Sequence, residues 1–154
     1  MNELTRRRMF QTAIATLFCG IASFSVAGED DKPVRARVAI EGYDPVAYFT
    51  DSRPVKGSPA FSSEFDDVVY YLANAEHQKM FAADPDRYAP QYSGYCAAAL
   101  STGYKATVDP ASWTISNGKL YVFHSKDGLS LFADDPAGTI ARADANWATL
   151  KAQH

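Results

Sequence analysis

Apolar and polar residues alternate in two stretches of the second half of the chain, Trp113-Thr114-Ile115-Ser116 and Lys119-Leu120-Tyr121-Val122-Phe123, which stand on either side of Asn117-Gly118. Both residues of an Asn-Gly pair accept positive φ, so the pattern predicts a hairpin with a two-residue turn. That register pairs Ile115 with Leu120 and Trp113 with Val122, and the face they share is the expected core side. A second pair of stretches, 61–65 and 68–72, flanks Asp66-Asp67 in the same way. After each hairpin the apolar spacing becomes helical. Asn74 and Ser125 are placed to cap short helices carrying Met80-Phe81 and Leu131-Phe132, and an Asp-Pro pair closes each. Ile140, Ala143, Trp147 and Leu150 then recur at i, i+3, i+7 and i+10, the stripe of an amphipathic C-terminal helix packed on the sheet. The fold class that follows is α+β, antiparallel hairpins with short helices.

The likeness of the two hairpins extends to a repeat. Pro59-Ala60, Tyr70, Phe81-Ala82 and Asp84-Pro85 return 51 residues later as Pro110-Ala111, Tyr121, Phe132-Ala133 and Asp135-Pro136. With a slip of one residue, the segment from Gly42-Tyr43-Asp44 to Ala47 returns as that from Gly94-Tyr95-Cys96 to Ala99. A recurrence at fixed offset marks an internal duplication, with halves at about 42–90 and 94–139. Together with the C-terminal helix they predict a single domain over 42–151.

What precedes it reads as a leader and a linker. Arg6-Arg7-Arg8 is followed by an apolar stretch over 13–27 that ends in Ser25-Val26-Ala27, ahead of the acidic Glu29-Asp30-Asp31. Charged start, short apolar middle and small-residue end are the plan of a signal peptide, expected at 1–27 with a linker at 28–41. The apolar stretch is short beside the ~20 residues of a bilayer span, so no stable membrane span is expected after cleavage near Ala27. Arg7-Arg8-Met9-Phe10 resembles a twin-arginine export signal, although Arg-rich starts also serve the general secretory route. Either route implies a periplasmic or otherwise exported protein. Cys19 lies within this leader and is expected to be removed with it. The net charge of −3 offers no basic surface for phosphates, which argues against nucleic-acid binding.

Cys96 is then the only cysteine of the mature chain, an unpaired thiol in an oxidising compartment. Its duplicate is Asp44, which precedes Pro45 as an N-cap precedes a first-turn proline. By symmetry Cys96 should head the small-residue run Ala97-Ala98-Ala99-Leu100, where a helix N-terminus can favour a thiolate. A small, buried, inert cysteine is the alternative. Strand alternation puts His124 on the face of Leu120 and Val122, from where it could reach Cys96 and form a Cys-His pair suited to Cu(I) or Zn. The alternative is a histidine at the core edge, bonded to backbone. His77, in the helix after Asn74, is expected to be solvated. Tyr43 and Tyr95 are candidate pocket residues, although repeat-equivalent tyrosines also suit a duplicated core. Gly-rich phosphate loop, Gly-x-Ser-x-Gly, His-Glu-x-x-His and Cys-x-x-Cys motifs are all missing from the sequence.

Across roughly 42–150 the motifs Gly42-Tyr43-Asp44-Pro45-Val46-Ala47-Tyr48-Phe49, Tyr70-Tyr71-Leu72-Ala73-Asn74, Phe81-Ala82-Ala83-Asp84-Pro85, Gly94-Tyr95-Cys96-Ala97 and Ala143-Asp144-Ala145-Asn146-Trp147 resemble the exported bacterial branch of the YHS domain family. Metal-associated domains of that kind carry cysteines where this chain has Ala47, Ala73 and His77. The resemblance therefore implies no thiolate set here, and His77 would be the one imidazole replacement.

Taken together, the sequence predicts an exported binding module that holds a metal ion, a soft one such as copper or zinc, or a small ligand. Cys96 would be central, with His124, Asp44 and His77 as assisting candidates. Two other classes stay open: a thiol-dependent redox enzyme using Cys96, and a structural or partner-binding domain without a small ligand.

Overall fold

A computed structural model describes residues 36–153. The leader, Cys19 and His154 lie outside the described residues. The observed class is the α+β one, built as two small sheets and their helices. Arg37–Val38 (β1), Ser58–Phe65 (β2) and Val68–Leu72 (β3) form the first sheet, in the order β1-β3-β2. Asp109–Ser116 (β4) and Lys119–Phe123 (β5) form the second. Both hairpins are antiparallel, and the short β1 joins β3 in parallel. The helices are Ala47–Thr50 (α1), Ala75–Ala83 (α2), Pro85–Tyr88 (α3), Ala97–Ser101 (α4), Lys126–Asp134 (α5) and Pro136–Leu150 (α6). Among the described residues no helix is long and apolar enough to cross a membrane.

The duplication is visible in the backbone. Ile115 faces Leu120 and Trp113 faces Val122 across the second hairpin, while Phe65 faces Val68 across the first. The register slips between Ser58 and Ser62 in one and between Asp109 and Trp113 in the other, at equivalent positions. Asp66-Asp67 adopts φ of 52° and 60° where Asn117-Gly118 has 52° and 75°, so two aspartates accept the left-handed turn that Asn-Gly takes with less strain. The caps repeat as well. Asn74 and Ser125 accept the amides of His77 and Gly128, and Asp84 and Asp135 accept those of Arg87 and Gly138, with Pro85 and Pro136 following in the first helical turn. A proline there forfeits no hydrogen bond, because first-turn amides have no partner within the helix.

The folded unit starts earlier than the expected boundary at 42. Ala39 and Ile40 are fully buried, because a left-handed turn over Ala39–Gly42 drives them into the core (φ 49° at Ile40, 50° at Glu41, 77° at Gly42). The same conformation recurs at Tyr92, Ser93 and Gly94 (58°, 52°, 78°) within Gln91–Gly94. Glycine enters this region freely, whereas each of the other four residues carries of order 1–2 kcal/mol of strain. Packing on both sides holds the turns: Gly94 sits against Pro90, Ala39 and Ile40.

One core joins the two halves. Leu120 and Val122 are buried as expected, but Tyr121 and Phe123 on the opposite face of β5 are buried too. Phe132 packs on both, at 5.0 Å from the ring of Tyr121 and 5.2 Å from that of Phe123. The amphipathic α6 buries Ala143 and rests on α4, where Asn146 Nδ2 donates to Leu100 O (2.7 Å).

Candidate binding cavity

Asp44 is fully buried, and its carboxylate is fully used. Oδ1 accepts from the amides of Val46 (2.8 Å) and Ala47 (3.4 Å), capping the turn into α1, and Oδ2 accepts from the amide of Ala73 (2.8 Å). The fourth partner is His77 Nδ1, 2.6 Å from Oδ2. The expectation of a solvated His77 is corrected, since its side chain is 12% exposed. Asn74 begins α2 by accepting the His77 amide, which fixes the first turn with its imidazole over the end of β3. Asp44 and His77 thus form a clamp that ties three elements together: the turn into α1, the end of β3 and the start of α2.

The equivalent junction in the second half is apolar. Cys96 caps α4 as predicted, its Sγ receiving the Ala99 amide at 3.4 Å. The position equivalent to His77 is Gly128, where a Cβ would lie 3.9 Å from the Cys96 sulfur. Cys96 is 2% exposed, which is the buried, inert alternative. His124 does not join it. The strand ends at Phe123, the chain turns into the cap at Ser125, and the exposed His124 has Nδ1 3.0 Å from Thr107 O. Neither imidazole is hydrogen-bonded to the thiol, and among the described residues no three His, Cys, Asp or Glu side chains converge as metal ligands.

Tyr43 and Tyr95 are partly buried, each beneath a cation: Lys56 lies 4.5 Å from the ring of Tyr43 and Arg37 4.0 Å from that of Tyr95. Contacts of this kind hold a ring in place, and neither tyrosine is among the residues lining the cavity at the seam. Tyr95 does pack against Trp147, at 6.0 Å between centroids, and Trp147 belongs to a cavity that sequence reasoning missed.

That cavity, about 270 Å³, lies at the seam between the halves. Its floor is aromatic, with Tyr70 from β3 and Tyr92 from the left-handed turn, and Phe65 and Trp147 on the walls. Asp66, Asp86, Asp144 and Lys119 stand around it. Tyr92 donates its hydroxyl to Asp144 Oδ1 (2.9 Å). Asp66 takes Ser93 Oγ (3.2 Å) on one oxygen and Lys151 Nζ (2.5 Å) on the other. The cavity breaks the pseudosymmetry: Asp86, Tyr92 and Ser93 have Ala137, Ile40 and Glu41 as their duplicates.

Tyr70 is the telling member. It is 1% exposed, with its ring 4.9 Å from that of Phe81, yet its hydroxyl has no hydrogen bond among the described residues. Tyr70 is among the residues that line the cavity. Burial holds the phenols of Tyr70 and Tyr92 well above the ordinary range; at Tyr92 the bond to Asp144 adds to the effect, and at Tyr70 Arg37 opposes it. Both are neutral at physiological pH, offering O–H groups rather than phenolates.

The sequence signals for this site were present but scattered: Tyr92 among many tyrosines, and Asp144 and Trp147 within one short motif. A search of protein-family models, curated proteins and solved structures finds no match to this chain.

Proposed function

We propose that the chain is a binding module, exported and of the YHS type, whose ligand is a small molecule held in the seam cavity rather than at Cys96. The observation that carries this reading is the Tyr70 hydroxyl, which sits on an almost fully buried side chain lining the cavity and has no hydrogen-bond partner among the described residues. A polar group left in that state loses the hydrogen bonds it had in water, and a ligand would restore them. The cavity lies just below the usual range of about 300–1,000 Å³ for small-molecule sites and combines aromatic side chains with a lining more polar than such sites usually have. Binding is favoured over thiol catalysis because the only thiol among the described residues is buried and unpaired with either imidazole. YHS membership rests on the motifs quoted above, and export on the pattern over residues 6–31.

A fragment screen by NMR on the full chain tests this reading. Small polar aromatic fragments should shift the Trp147 indole signal, and Gln91→Trp, which places a large ring at the cavity wall, should abolish those shifts. Shifts centred on Cys96, or unaltered in the variant, would refute it.

A further inference from the structure

The charges around the cavity narrow the class of ligand. Asp66 is neutralised by Lys151, but neither Asp86 nor Asp144 has an ion-pair partner among the described residues. Against these two carboxylates the lining sets the single ammonium of Lys119, while the Arg37 guanidinium stands outside the lining, engaged on Ser93 O and the Tyr95 ring. Asp144 spends one oxygen on the Tyr92 hydroxyl, and among the described residues no bond reaches the other. Aromatic faces beside carboxylates suit an organic cation, which gains from ring quadrupoles and from charge together. At the floor, the Tyr70 hydroxyl, without a bond among the described residues, calls for a second polar group on the same ligand.

From this geometry we infer that the cavity takes a small organic ammonium compound that also carries a hydrogen-bonding group. Its ammonium sits by Asp144, its stem lies along Trp147 and Phe65, and its second polar group meets Tyr70. The inference rests on the cavity-binding reading and names the ligand class for that site.

Three probes of one skeleton test it: tyramine with an ammonium, tyrosol with a hydroxyl, and 3-(4-hydroxyphenyl)propionate with a carboxylate. Each is titrated into the full chain while the Trp147 indole signal is followed by NMR. Tyramine should bind at least threefold tighter than tyrosol, with the propionate weakest, and the advantage should shrink as salt screens the rim charges. Asp144→Asn should erase the advantage, with the dispersion of its amide NMR spectrum reporting that the variant is folded. Tyr70→Phe should weaken tyramine severalfold and leave phenethylamine, which lacks the phenol, unchanged. Equal binding of tyramine and tyrosol, or an unaltered ratio in Asp144→Asn, would overturn the ammonium assignment and leave the cavity reading standing. Failure of all three probes to shift Trp147 would also overturn it, with the fragment screen deciding the cavity reading on its own.

Discussion

His77 Nδ1 and Asp44 Oδ2 lie 2.6 Å apart with the carboxylate wholly out of water, although 33 residues separate them in the chain. Because Oδ2 also accepts the Ala73 amide, Nδ1 is the donor, and the pair works as a fastener between elements rather than as a free acid.

Removing that carboxylate strands three amides and an imidazole. Asp44→Ala should lower stability by about 3–5 kcal/mol, since several buried donors lose their acceptor at about 1–3 kcal/mol each. His77→Ala should lose only about 1–2 kcal/mol, since the carboxylate keeps its amides. Urea unfolding of both variants and of the double variant checks this, and losses that simply add would contradict the clamp.

Cys96 should behave as a packed cap. Iodoacetamide should label it slowly in the native protein and readily in urea. Cys96→Ala should lose only about 1 kcal/mol, as a small cap does, whereas Cys96→Asp should destabilise by several times that amount, because Gly128 offers no imidazole to a buried carboxylate. Rapid native labelling would contradict this picture.

At the first hairpin, Asp67 holds φ of 60° where the second hairpin has Gly118. Asp67→Gly should raise stability by about 0.5–1 kcal/mol, since relief of left-handed strain exceeds the entropy that glycine adds to the unfolded chain. Thermal unfolding gives the sign directly.

Alkaline pH should unfold the protein through its buried phenols. Tyr48, Tyr70, Tyr92 and Tyr121 all have raised pKa values, chiefly from burial. An unfolded tyrosine releases its proton near pH 10, so above that pH the folded state holds more protons than the unfolded one. Stability is then complete below about pH 10 and falls as pH rises further, by up to ~1.4 kcal/mol per pH unit for each such tyrosine. Denaturant midpoints measured from pH 8 to 12 should be flat and then drop.

The local rules were readable in the sequence. Asn117-Gly118, the caps at Asn74, Ser125 and Cys96, the Asp-Pro stops and the stripe through Ala143 each depend on a few neighbouring residues, and the duplication carried them from one half to the other. The failures share a cause in distance along the chain. Alternation put His124 with Leu120 and Val122, but the strand ends one residue too soon. The meeting of Asp44 with His77 depends on how β3 returns past α1. The cavity needs Tyr70, Tyr92 and Trp147 brought together from three elements, one of them a left-handed turn whose Tyr92-Ser93 residues give no local sign of it.

The two copies differ most in how they finish. α3 stops at Tyr88, four residues long, whereas α6 runs for fifteen residues and carries Asn146 to Leu100 O and Trp147 to the cavity. Trimming α6 to the length of α3 would therefore strip the cavity of its indole and α4 of its amide partner in one step.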